Sequence, residues 1–232
     1  MALILRIDVD RPYGKHPLLR HFLSKLASDL WFPRIPSAGY LDELNSMLRT
    51  LNERAARAYV FFRRCTLPSP QTLELLRQGR HVSGLHLEDS RSFASFAAEK
   101  ALIERHIRTP ILAVCKHGSG KARYGYHHYA PYEPARYIEW ARRAGMKLFL
   151  GNLEDPSIEP EHLDGDFVSF PAVFWLEPSW RDTTTFTVDW LISRAKIYDT
   201  VLLVHPENVL ESAELTKSFM DLLSVVETKI LL

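Results

Sequence analysis

Short apolar runs alternate with helical patterns along the whole chain. Ala2–Val9 reads as a first strand. Tyr40–Glu53 carries Leu41, Leu44, Leu48 and Leu51 at spacings of three and four, which predicts a helix. Arg57–Phe62 reads as a second strand. Ser69 and Pro70 open a helix over Pro70–Gln78, and Gly79 ends it. His81–His86, Pro110–Lys116 and Lys147–Gly151 predict three further strands, separated by helices over Ser92–Ile107 and Glu133–Ala144. Phe167–Trp175 reads as one or two strands, Thr187–Tyr198 as a helix, Thr200–His205 as a strand and Leu210–Leu223 as a last helix. Val225–Leu232 is apolar enough for a closing strand. Strands alternating with helices imply parallel pairing through right-handed crossovers. Seven or so such units predict one α/β domain over residues 1–232, a closed or nearly closed β/α barrel. An open doubly wound sheet is the alternative.

Composition narrows the function. Of 232 residues, 46% are hydrophobic and 25% charged, as in ordinary folded soluble proteins. Lys and Arg (29) nearly balance Asp and Glu (28), which excludes a strongly basic nucleic-acid surface and argues against disorder. The longest apolar runs are too short to cross a bilayer, so no transmembrane segment is expected. Asp8 and Asp10 interrupt the apolar start, no secretory signal is visible, and the cytoplasm is the expected compartment. Cys65 and Cys115, without CxxC spacing, make neither a disulfide scaffold nor a cysteine zinc site. No heptad specifies an assembly, and the oligomeric state stays open.

Polar residues follow the predicted strands. Asp8 and Asp10 follow the first, Arg63 and Arg64 the second, and His86, Glu88 and Asp89 the third. Lys116 and His117 follow the fourth, Asn152, Glu154 and Asp155 the fifth, and His205 and Glu207 the late strand. In a parallel β/α barrel these ends open on one face, where sites are built. One polar residue after a strand is ordinary; six ends rich in Asp and His predict a site.

The chemistry follows from residue type. If the chain curls at the end of the first strand, Asp8 and Asp10 face one pocket, one binding a metal and the other accepting a proton. A neutral His86 suits zinc and similar ions. Asp10 and His86 give only two ligands; His117 is the best third, and Glu88 another. The Tyr-rich loop Tyr124–Tyr132 offers aromatic faces suited to sugar rings. His128 and Tyr129 on it, with Arg63, Asn152 and Glu154, are the candidate substrate contacts. A histidine ordinarily titrates near neutrality, so His205 is placed to protonate a leaving amine. Gly118-Ser119-Gly120-Lys121 lacks the full phosphate-loop pattern, which discounts nucleotide hydrolysis.

Gly79-Arg80-His81-Val82-Ser83-Gly84-Leu85-His86 resembles the G-H-E-[IV]-G-x-H segment of the polysaccharide deacetylase, or NodB-homology, family. Arg6-Ile7-Asp8-Val9-Asp10 resembles its D-x-D motif, Ala58–Phe62 its second strand, and Leu202-Leu203-Val204-His205 its late L-x-x-H motif. The K-H-G-S-G and Y-A-P-Y-E-P stretches are similar to a branch associated with O-antigen gene clusters, the WbmS-like proteins. The resemblance implies a distorted (β/α)7 barrel and metal-dependent hydrolysis of an N-acetyl group on a sugar. Zinc is the implied ion, with cobalt or nickel as alternatives. It further implies Asp8 as general base, Asp10 and His86 as metal ligands and His205 as general acid. Lys116 falls where the family has an arginine that orients the base. The implied substrate is a sugar or glycan intermediate; with no export signal visible, a nucleotide- or lipid-linked one is expected over finished cell wall. The chain departs from the pattern at Ser90, where a second histidine is usual, and lacks the Arg-Pro-Pro-Tyr stretch. Either His117 or another group completes the metal shell, or the protein is a non-catalytic carbohydrate-binding relative. A deformylase-type amidohydrolase is a third reading.

Overall fold

The computed structural model describes residues 2–15, 17–30, 34–163 and 165–232. Seven strand positions make a curled, parallel sheet. Its strands are β1 (Leu3–Val9), β2 (Ala58–Phe62), β3 (Val82–Leu87), β4 (Ala113–Lys116) and β5 (Leu148–Leu153), then β6 (Glu161–His162), β7 (Val168–Ala172), β8 (Phe174–Trp175) and β9 (Thr200–Val204). The hydrogen-bonded order is β6-β7-β5-β4-β3-β2-β1-β9-β8. β6 is a two-residue antiparallel addition to β7. β7 and β8 are consecutive, separated only by Val173; β7 pairs with β5 and β8 with β9. One stretch of chain thus changes partners midway and closes the ring by covalent continuity. This is the nearly closed β/α barrel expected from the strand–helix alternation, in the distorted seven-stranded form that the family resemblance implies, and the open doubly wound alternative is set aside.

Alternation along each strand sorts the core into two layers. Leu3, Leu5, Ile7 and Val9 of β1 pack outward with helical residues such as Leu44, Leu48 and Phe96. Ile4 faces inward with Tyr59, Phe61, Cys115, Leu150 and Leu203, in a cluster that contains no helical residue. Gly84 on β3 belongs to this inner face: a Cβ there would meet the Phe61 ring at 2.3 Å. The lack of a side chain therefore makes room for the aromatic ring.

The helices are α1 (Leu18–Leu30), α2 (Asp42–Glu53), α3 (Pro70–Gln78), α4 (Phe93–Ile107), α5 (Pro134–Arg143), α6 (Val188–Ala195), α7 (Pro206–Glu211) and α8 (Ala213–Val225). Three differ from the sequence expectation. α1 was not foreseen. It buries only Ser24 and Ala27, while Leu18, Leu19 and Phe22 are exposed. The single late helix is two, because Ser212 is extended and its side chain caps α8 by accepting from the Leu215 N–H at 3.2 Å. The C-terminal segment forms no strand. It makes one bridge, Leu3 with Thr228, and sets Ile230 and Leu231 against the inner cluster, with the Leu231 N–H donating to the Tyr59 hydroxyl at 2.7 Å. Among the described residues, no helix is long and apolar enough to cross a membrane.

Candidate active site

The inward alternation of the barrel continues one step past the strand ends. It carries Asp8 and Asp10 from β1, Arg63 from β2, His86 and Glu88 from β3, Cys115 and His117 from β4, Asn152 from β5, Trp175 and Glu177 from β8, and His205 from β9. No curling of β1 is needed to bring Asp8 and Asp10 together, since residues two apart share a face.

Asp10, His86 and His117 form a compact group. His86 Nε2 lies 2.9 Å from Asp10 Oδ1, and His117 Nδ1 lies 3.1 Å from the same oxygen and 3.1 Å from His86 Nε2. Ligands at 2.0–2.1 Å from a tetrahedral ion stand ~3.3 Å apart, so these three atoms have nearly the spacing of a closed metal face. Burial and the nearby Arg63 charge push His117 down to about 3, leaving a neutral imidazole with a lone pair to give. Burial raises Asp10, but His117, His86 and His205 outweigh it and hold the carboxyl well below the ordinary range. The donor set fits a divalent ion.

Asp8, His86 and Cys115 also converge. That set fits a cation poorly. Asp8 is already clamped by Arg6, with Nε–Oδ1 2.8 Å and Nη2–Oδ2 2.6 Å, and burial pushes the Cys115 thiol far up. The Cys115 Sγ instead lies 2.9 Å from His86 Nδ1, orienting the ring so that Nε2 faces Asp10.

Asp8 is buried. Burial raises its carboxyl, but Arg6 reverses this and keeps it ionised. Arg6 is itself fixed by the carbonyls of Leu150 (3.1 Å) and Gly151 (2.7 Å). The residue that orients Asp8 is therefore Arg6, and the expectation for Lys116 is corrected. Lys116 sits on the outward alternation of β4, and its ammonium donates to the His117 carbonyl at 2.7 Å.

His205 stands across the group, Nε2 3.6 Å from Asp10 Oδ2, its ring stacked on Trp175 at 6.0 Å. Its Nδ1 meets Glu177 Oε1 at 2.7 Å, and Asn208 donates to the same oxygen at 2.9 Å. Burial lowers His205, but Glu177 overrides it and pushes the ring up to about 10, an imidazolium at neutral pH. Glu177 was missed in the sequence, although it continues the Val173, Trp175 alternation.

Several other expected contacts are taken up within the protein. Glu88 is not a ligand: it pairs with buried Arg63, whose guanidinium also donates to the Asp10 carbonyl (2.8 Å) and Ser28 (3.0 Å). Arg63 thus braces the Asp10 backbone. Both nitrogens of buried His128 are used, one accepting from the Tyr124 N–H (3.0 Å) and the other donating to the His117 carbonyl (2.8 Å), so it holds its own loop. Tyr129 contributes its N–H to the Glu88 carbonyl and does not line the cleft. Exposed Glu154 pairs with Lys121 at 2.5 Å, outside the cleft. Asn152 lines the cleft, with its amide donating to the carbonyls of Lys116 and Gly118. Ser90, in place of the usual histidine, donates to Tyr137 of α5 and takes no part in the cluster. The cleft itself holds about 190 Å³, walled by Trp175, Trp180 and Tyr124.

No family model matches the chain, and no curated protein matches it in sequence. Solved structures do match its fold. A CE4 family pseudoenzyme from Bacillus anthracis aligns over 96% of this chain with a TM-score of 0.51 at 11% identity. The chain spans about three-fifths of that protein's length, 59%. The peptidoglycan deacetylase PdaC from Bacillus subtilis aligns over 98% of this chain and 85% of its own, TM-score 0.51, 13% identity. The chitin deacetylase of Colletotrichum lindemuthianum aligns over 98% and 84%, TM-score 0.50, 11% identity. At such identities the likeness establishes a shared barrel fold.

Proposed function

We propose that this chain is a metal-dependent carbohydrate N-deacetylase of the polysaccharide deacetylase type. The observation that carries the reading is the convergence of three groups at one rim: a metal-fitting Asp–His–His set, a clamped carboxylate and a histidine held protonated. Asp10, His86 and His117 would hold the ion, with His117 in the place left by Ser90. When bound, a divalent ion, zinc in this reading, supplies Lewis acidity at the acyl carbonyl and lowers the pKa of water toward ~7.

The chain's own residues do the rest. Asp8, ionised and fixed by Arg6, takes the proton from the attacking water. The water oxygen bonds to the acyl carbon and the carbon–nitrogen bond breaks. His205 gives its proton to the departing nitrogen, without which an amide nitrogen leaves poorly. Glu177 holds the ring in place and favours its reprotonation from solvent, as Asp8 releases the proton it took. The small cleft suits a short acyl group, and the likeness in fold to deacetylases favours acetyl. The K-H-G-S-G and Y-A-P-Y-E-P stretches support a place near the WbmS-like branch, and hence a carrier-linked sugar of glycan assembly in the cytoplasm.

Ser90 and the pseudoenzyme among the structural neighbours favour one other reading, a glycan binder without turnover. Zinc-loaded protein, assayed for free amine released from N-acetylated sugars, separates the two. Turnover is expected, and Asp8→Asn is expected to lower it about 10²–10⁴-fold with zinc retained. Glycan binding without amine release, or full turnover in Asp8→Asn, would reject the deacetylase reading.

A further inference from the structure

We propose that a basic cavity beside the candidate metal centre is a subsite for the diphosphate of a carrier-linked sugar, the carrier being a nucleoside or a lipid. The proposal deepens the deacetylase reading, on which its orientation of the sugar rests. The cavity holds about 350 Å³ and shares Asp10, Arg11, His117 and Tyr124 with the catalytic cleft, so a bound group there adjoins the reacting centre.

Four cationic side chains, Arg11, Lys25, Arg63 and Arg123, line it beside two carboxylates, Asp10 and Asp29. They fall into two kinds. Arg63 and Arg11 stand against carboxylates outside the lining, Glu88 and Glu207 (the latter at 3.9 Å). Lys25 and Arg123 have no carboxylate in pairing distance among the described residues. Lys25 is exposed on α1. Arg123, on the loop after β4, uses Nε and one Nη on the carbonyls of Gly125 and Tyr126 and keeps the other Nη. Two unpaired cations from two separate segments thus face one cavity.

The buried wall adds a second, independent observation. Arg63 and His117 are both more than nine-tenths buried, both line this cavity, and each keeps one buried nitrogen without a partner, Arg63 Nε and His117 Nε2. A buried unsatisfied polar atom is costly, and a ligand able to meet it relieves that cost. Guanidinium and ammonium groups around a recess of this size recognise phosphate oxygens well. The four cations of the lining exceed its two carboxylates by two, a surplus that a diphosphate diester matches and a single carboxylate does not. An uncharged sugar hydroxyl would need neither.

Isothermal titration of the zinc-loaded full chain tests this with three probes: UDP-N-acetylglucosamine, farnesyl-diphosphate-N-acetylglucosamine and uncharged N,N′-diacetylchitobiose. At least one diphosphate probe is expected to bind tenfold or more tighter than the uncharged sugar, and the tighter of the two identifies the carrier. Lys25→Ala and Arg123→Ala are each expected to weaken that probe about tenfold, with the loss shrinking at high salt, while zinc content and thermal midpoint hold. Equal affinity in wild type and both variants would mean that the ion alone holds the diphosphate, and would overturn the subsite. So would equal affinity for charged and uncharged probes. Binding is read separately from amine release. A preserved charge pattern without turnover defeats the deacetylase reading and leaves the subsite standing; turnover without the pattern does the reverse.

Discussion

His117 and His205 are both buried and both lie against Asp10, yet the first is neutral and the second protonated. The difference sits on the far side of each ring. His205 turns its Nδ1 to Glu177 at 2.7 Å, and that carboxylate overrides burial. His117 has no acceptor at its Nε2 and feels the Arg63 charge, so burial prevails and its attraction to Asp10 is too weak to reverse it. A neutral imidazole offers a lone pair to a cation; an imidazolium offers a proton. One buried carboxylate therefore divides two similar histidines into a metal ligand and a general acid.

The division can be broken from either side. The largest effect is expected at His117: His117→Ala should abolish stoichiometric zinc and with it turnover. His205→Asn should retain zinc, measured by mass spectrometry of the metal, while turnover falls about 10²–10⁴-fold. Zinc loss in the His205 variant, or zinc retention with activity in the His117 variant, would dissolve the distinction. Glu177→Gln is milder and more diagnostic. His205 acts while protonated, so activity is lost as pH rises through its raised value near 10. Removing Glu177 lowers that value, so the alkaline limb of kcat/KM should move toward neutrality, with about a tenfold loss at pH 8. An unmoved limb would assign the proton to another group.

The smallest effect isolates burial itself, away from the site. Glu99 on α4 accepts the N–H groups of Glu88 and Asp89 at 2.9 and 2.8 Å, yet burial pushes it up to about 7. A raised carboxyl contributes stability that is complete below its unfolded value of ~4.3 and lost as pH rises through 7. Wild-type stability should therefore fall by on the order of 2–3 kcal/mol between pH 5 and pH 8 from this group. Denaturant titration of Glu99→Gln should show a flatter profile; an unchanged slope would reject the assignment.

How much of this was legible in the sequence depended on whether periodicity and burial agree. The strands β1 to β5 and β9, and helices such as α3 with its Ser69 cap and Gly79 stop, announce themselves because their apolar positions face the core. α1 does not, since its large apolar residues face solvent and its buried ones are small. Asp8, Asp10, His86, His117 and His205 were readable as polar residues at strand exits. Arg6 was equally visible as a charge inside an apolar strand, two residues before Asp8, but its partner depends on the barrel interior. Lys116 had the right place in the chain and the wrong face of the strand. Glu177 lies past a strand whose change of partners no local pattern encodes. The side chains of His128 and Glu154, expected as substrate contacts, are instead engaged within the protein, by the His117 carbonyl and by Lys121.

X-ray absorption at the zinc edge of the loaded protein tests the central claim most directly. The account predicts a shell of nitrogen and oxygen near ~2.0–2.1 Å that includes two imidazoles. A sulfur neighbour near ~2.3 Å would place the ion with Cys115 and Asp8 instead, and would contradict the assignment of Asp10, His86 and His117 as the metal centre.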